Sequence, residues 1–172
     1  MKPVRSDEGI SPLNQSLSPE AEDFASDCTR FITELFSVTD LDVRPGTVNW
    51  NSPYLNLELV GEDADAIFGR YGEYLDSLQY LVNQALVNRY GREKRLILDA
   101  GGYREWRAQT LRKLALDLAA QVKELGQEAE LDPLPPQERR IIHNTLADDP
   151  EVTTYSEGVD PNRYVVITPR IE

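Results

Sequence analysis

This chain of 172 residues holds one cysteine and one histidine. Cys28 has no partner for an intrachain disulfide, and the usual zinc sets, which draw three or four ligands from such residues, are excluded. No apolar run approaches the roughly 18–20 residues that a membrane span needs. The stretch from Met1 to Gly9 is polar, carries Asp7 and Glu8, and lacks the apolar h-region of a secretory signal. No phosphate-binding loop of the G-x-x-x-x-G-K type occurs, and no nucleophile sits in a recognisable motif with His143. These absences lead us to expect a cytoplasmic protein with no membrane insertion, metal, cofactor or catalytic role.

Positive charge is also scarce. There are 18 Lys and Arg against 30 Asp and Glu, a formal net charge of −12. Taken whole, such a surface repels phosphates. The charge is unevenly placed, however. Residues 1–68 carry 4 basic against 13 acidic side chains, residues 69–114 carry 9 against 5, and residues 115–172 carry 5 against 12. A basic segment lies between two acidic ones, which suggests a local anion-binding face.

What is present reads as α+β. Residues 1–18 are polar, rich in Ser and Pro, and expected to form a disordered acidic tail. Ser18 and Pro19 then open a helix with Phe24, Cys28, Phe31, Ile32, Leu35 and Phe36 on its apolar stripe. Alternation over residues 41–60 predicts a two-stranded hairpin, with Pro45-Gly46 and Asn51-Ser52-Pro53 as turn signals. A short helix near 63–68 and a long one over 73–89 follow, the latter with Leu75, Leu78, Leu81, Val82, Ala85 and Leu86 inward. A strand over 95–99 comes next, then a helix over 103–125 with Trp106, Leu111, Leu114, Leu118, Val122 and Leu125 on its stripe. A short strand at 128–131, a helix over 136–147 and strands at 153–156 and 163–168 complete the chain.

Two constellations carry chemistry. The first is Gly69-Arg70-Tyr71-Gly72, between the short helix and the long one. Its glycines allow a sharp turn and close backbone approach. The helix behind it directs amides and a positive dipole end at the loop, and Arg70 adds a cation, so the loop suits a phosphate. The same four residues also serve as an ordinary tight helix–helix turn. Tyr71 is the aromatic best placed to stack on a base, whereas Trp50, Trp106 and Tyr80 are expected in the core. Arg92, Lys94 and Arg95 would extend a phosphate track. Arg104, Arg107, Arg112 and Lys113 read equally well as a solvated face. The second constellation is Arg139 and His143, four residues apart on one helix side, where both side chains could share one phosphate.

The order helix-strand-strand-helix-GxxG-helix-strand is that of type II KH domains, which clamp nucleotides with this loop. The segment Gly69-Arg70-Tyr71-Gly72-Glu73-Tyr74-Leu75-Asp76-Ser77-Leu78-Gln79-Tyr80-Leu81-Val82-Asn83 closely resembles the KH segment of the bacterial Jag family. Residues 135–146, Asp148-Asp149-Pro150, Thr154-Tyr155-Ser156-Glu157-Gly158 and Arg163-Tyr164-Val165-Val166-Ile167 resemble that family's R-3-H domain, named for an Arg-x-x-x-His signature that Arg139 and His143 match. The resemblance implies two small modules. A type II KH domain (αββααβ) would cover residues 19–101, and an R-3-H domain (αβαββ) residues 102–172. It implies that Gly69, Arg70, Tyr71, Gly72, Arg139, His143 and Arg163 contact single-stranded RNA, or single-stranded DNA at the second module. A role as post-transcriptional regulator or RNA chaperone in cell-envelope control would follow, with a second small KH protein as partner. The competing expectation is a protein–protein adaptor that binds no RNA directly.

Overall fold

The computed structural model describes residues 19–170, so the expected tail over 1–18 and the capping role of Ser18 lie outside the described residues. The chain divides into two compact units. One comprises the described residues up to Ala64 together with Ser77–Leu98, and the other comprises Asp65–Asp76 and the residues from Asp99 onward.

In the first unit, α1 (Pro19–Ser37) has Glu20 and Glu22 in its first turn, where they complement the helix dipole. It buries Ala21, Phe24, Cys28, Ile32 and Phe36 along one stripe. Leu35 falls outside that stripe. Burial pushes the Cys28 thiol up to about 12, so it packs as a small apolar side chain. Asp27 is buried but well partnered, accepting from Arg30 at 2.7 Å, Arg89 at 2.6 Å and the Tyr90 hydroxyl at 2.7 Å. The Tyr90 hydrogen bond is the main reason its carboxyl titrates below the usual range.

Strands β1 (Arg44–Asn51) and β2 (Tyr54–Val60) form the expected antiparallel hairpin, with Val48 opposite Leu57 and Trp50 opposite Leu55. Pro45-Gly46 is not a turn. It lies inside β1, where the register shifts between Pro45 and Val48. An edge strand tolerates such a bulge because Pro has no amide to offer a neighbour. Strand β3 (Arg95–Ala100) completes a sheet of order β1-β2-β3. The short helix before the glycine loop is a single 3-10 stretch, Ala64–Phe68.

Helix α2 (Glu73–Tyr90) runs as expected but presents a narrower apolar face. Leu75, Leu78 and Val82 are buried, whereas Tyr80 and Leu81 are 62% and 57% exposed. The reason is polar. Asn83 Nδ2 donates to the Leu96 carbonyl, Asn83 Oδ1 accepts from the Leu96 amide, and Gln79 Oε1 accepts from the Leu98 amide. These side chains satisfy backbone groups of edge strand β3 and fix which side of α2 faces it.

In the second unit, α3 (Tyr103–Leu125) starts after Gly101-Gly102 and stops at Gly126, a left-handed residue whose amide donates to the Val122 carbonyl. It buries Leu111, Ala115, Ala119 and Val122, and leaves Trp106, Leu114 and Leu125 largely exposed. Two alanines thus occupy the packing stripe where bulkier residues were expected. Small side chains let neighbouring elements approach the helix backbone closely. Helix α4 (Pro136–Thr145) and strands β4 (Ala129–Glu130), β5 (Val152–Glu157) and β6 (Tyr164–Pro169) complete this unit. The sheet is antiparallel, in the order β4-β6-β5. Its core joins the α3 stripe to Leu131, Leu134, Ile142, Leu146, Val152, Val165 and Ile167. The architecture is α+β, two small modules with the element order expected of KH and R-3-H folds.

Candidate nucleic-acid interface

The glycine loop is tightly wound. Gly69, Tyr71 and Gly72 have φ of 61°, 59° and 79°. Tyr71 is the one non-glycine residue at positive φ among the described residues, a conformation that side chains disfavour and surroundings must hold. A Cβ on Gly69 would lie 2.6 Å from the Tyr74 ring, and one on Gly72 would lie 2.8 Å from the Tyr103 ring. Tyr103 is itself held by Phe68, stacked at 4.6 Å and 11°. The Glu73 amide donates to the Arg70 carbonyl and leads into α2.

Arg70 is exposed, as a phosphate contact requires. Tyr71 differs from the open stacking platform expected of it. It is half-buried, and guanidinium carbons approach its ring from Arg70 at 5.1 Å and Arg107 at 4.6 Å. Arg107 in turn forks onto Glu138 at 2.8 and 2.9 Å. Both members of this pair are largely buried.

The basic segment is mostly neutralised in place. Arg89, Lys94, Arg104, Arg107, Arg112 and Lys113 each pair with a carboxylate. Arg70, Arg92 and Arg95 remain exposed and make no ion pair among the described residues. Trp106, expected in the core, is 47% exposed next to the Tyr103 ring.

The second constellation has a different geometry from two cations sharing one phosphate. Arg139 is only 7% exposed, and its Nη1 donates to the Leu134 carbonyl at 2.6 Å and to Asp160 at 2.8 Å. It ties the entry of α4 to the β5–β6 connection. His143 is half-buried, with Nδ1 2.7 Å from the Thr154 hydroxyl and Nε2 2.8 Å from the Ser156 hydroxyl. Burial lowers its basicity first, and the nearby Arg139 and Arg163 charges lower it further. The neutral imidazole therefore works as a strut that orients two hydroxyls of β5. Arg163 reaches the Ser156 carbonyl at 3.4 Å through Nη2, while its buried Nε has no hydrogen-bond partner.

Sequence reasoning missed three neighbours. Thr154 and Ser156 are two apart on one strand and so share a face with each other, which the alternation rule could have revealed. Arg140 is exposed on α4, one turn before His143 and Asn144. Among the described residues no group of His, Cys, Asp and Glu could hold a metal ion, and no helix is long and apolar enough to cross a membrane.

Residues 109–169 match the R-3-H domain family. A protein of Clostridium symbiosum named RNA-binding protein KhpB is 37% identical over 139 residues, which cover 80% of this chain and 63% of that protein. Proteins of the same name from Streptococcus pneumoniae and Bacillus subtilis are 37% and 38% identical, covering 76% and 71% of this chain. The chain spans 40% and 60% of the length of those two relatives. Over about four fifths of its length the chain is similar to these KhpB proteins, and over residues 109–169 to R-3-H domains.

Proposed function

We propose that this chain binds single-stranded RNA through two modules, one over residues 19–101 and one over 102–172. It would act as a post-transcriptional regulator or RNA chaperone, with a binding role and no catalytic one. The observation that carries this reading is the loop Gly69–Gly72. Its two glycines sit at positive φ, where a Cβ would meet the Tyr74 and Tyr103 rings, next to exposed Arg70 and ahead of an 18-residue helix. Such a loop admits a nucleic-acid backbone closely and meets its phosphates with a cation and a helix N-terminus. The names of the relatives support the same ligand.

On the second module, His143 and Arg163 face the strand, with the Thr154 and Ser156 hydroxyls as sugar or phosphate contacts. Arg139 contributes by holding this surface in shape. Single-stranded DNA is an alternative ligand for this module. A cytoplasmic setting and pairing with a second small KH protein belong to the same proposal. Fluorescence anisotropy with short single-stranded RNA tests it. Micromolar or tighter binding that weakens with salt is expected, and no binding at low salt would refute it.

A further inference from the structure

A cavity of about 330 Å³ opens in the second unit, at the low end of the roughly 300–1,000 Å³ typical of small-molecule sites. Its floor is apolar and buried, formed by Leu111, Leu131 and Leu134. Leu114 and Leu118 extend that floor toward solvent. Tyr71 of the glycine loop and Arg107 form a wall, and Arg107 is fixed there by its fork onto Glu138. The rim holds the exposed carboxylates of Glu130 and Asp132.

This lining selects its occupant. The floor takes a flat apolar surface, and the volume suits one ring system. A phosphate at the rim would meet two carboxylates and be repelled. A polynucleotide therefore enters base first, its backbone left outside near Arg70, which already feels the Asp132 charge. Carboxylates only accept hydrogen bonds, so they favour a base whose edge donates. Guanine alone carries two adjacent donors, N1–H and N2–H₂, on its Watson–Crick edge. Adenine and cytosine place a ring acceptor beside their amino group, and uracil flanks its single N–H with two carbonyls.

We propose that this cavity takes one unstacked guanine of a bound RNA strand, with Glu130 and Asp132 as acceptors for its N1–H and N2–H₂. The assignment rests on the RNA-binding reading above and adds a base preference to it. It also gives the signature arginine a second consequence. Leu134 forms part of the floor, and its carbonyl is held by Arg139, so Arg139 is a positioning residue for this cavity. The rim is equally anchored. The Leu131 amide donates to Val165 and the Leu134 amide to Arg163, which fixes the segment carrying Asp132.

The test is anisotropy with the full chain and three labelled probes: oligouridylate, the same strand with one central guanosine, and that strand with inosine in its place. Inosine keeps N1–H and lacks the amino group. Wild type should bind the guanosine strand about tenfold more tightly than oligouridylate, with most of that preference absent for inosine. Glu130→Gln combined with Asp132→Asn should abolish the preference, while oligouridylate binds as well as before or better. Equal binding of guanosine and inosine strands by wild type, or an intact preference in the double variant, would overturn the guanine site and leave RNA binding standing. Failure to bind any of the three strands would overturn both.

Discussion

Arg107 presents both ends of its guanidinium fork to the Glu138 carboxylate, at 2.8 and 2.9 Å, while its central carbon lies 4.6 Å from the centre of the Tyr71 ring. One buried ion pair on α3 and α4 thereby supports the residue at the crest of the glycine loop. Because both members are largely buried, removing one leaves an uncompensated charge. Glu138→Ala should destabilise the protein by about 3 kcal/mol in urea unfolding. A loss no greater than that of a surface Glu→Ala control would show that the pair is solvated and does not brace the loop.

The two loop glycines should differ in sensitivity. Gly72 has φ of 79°, and an added Cβ would strike Tyr103, whose ring is pinned against Phe68. Gly69 has φ of 61°, but an added Cβ would strike Tyr74, which is 60% exposed and free to swing away. Gly72→Ala should cost about 2–3 kcal/mol and Gly69→Ala about 1 kcal/mol, both by thermal or urea unfolding. The reverse order would mean that Tyr103 yields more easily than its stacking implies.

Arg139→Ala should also act through stability. It strips a buried carbonyl of Leu134 of its partner and releases Asp160, for an expected loss of about 1–3 kcal/mol. Lysine, a point donor without the planar fork, should restore only part of it. An unchanged unfolding midpoint, with reduced RNA affinity, would return Arg139 to direct phosphate contact.

Much of the fold is legible in the sequence, because it rests on strong local signals. Gly126 stops α3, Pro136 opens α4, and alternation over Leu55, Leu57 and Leu59 marks β2. Expectation and structure part where partners distant in sequence decide orientation. Leu81 looks buried by period alone, but Gln79 and Asn83 turn α2 by bonding the backbone of β3. Pro45-Gly46 reads as a turn, yet it is a bulge that an edge strand accommodates. At the candidate site, spacing correctly puts Arg139 and His143 on one helix. It cannot reveal that Asp160, far along the chain, draws the guanidinium inward, or that β5 supplies hydroxyls to both imidazole nitrogens.

His143 gives a pH dependence of definite sign. Burial holds the folded imidazole below its ordinary value, near 6.5 in an unfolded chain. Between those two values the unfolded state binds the extra proton, so stability falls as pH drops below about 6.5 and levels off below the folded pKa. The contribution is fully present above about 6.5. Urea midpoints of wild type should decline more steeply than those of His143→Gln between neutral and mildly acidic pH. Parallel profiles would show that the imidazole titrates normally when folded.

The most direct measurement is the affinity of the full chain for a short single-stranded RNA, compared with that of the double variant Arg70→Asp/Tyr71→Asp across a salt series. Wild type should bind with log K falling linearly in log salt. The variant should bind at least tenfold more weakly, with a slope shallower by about 0.7 for each phosphate it no longer neutralises. Equal affinity and equal slope for the two proteins would contradict a backbone grip by the glycine loop.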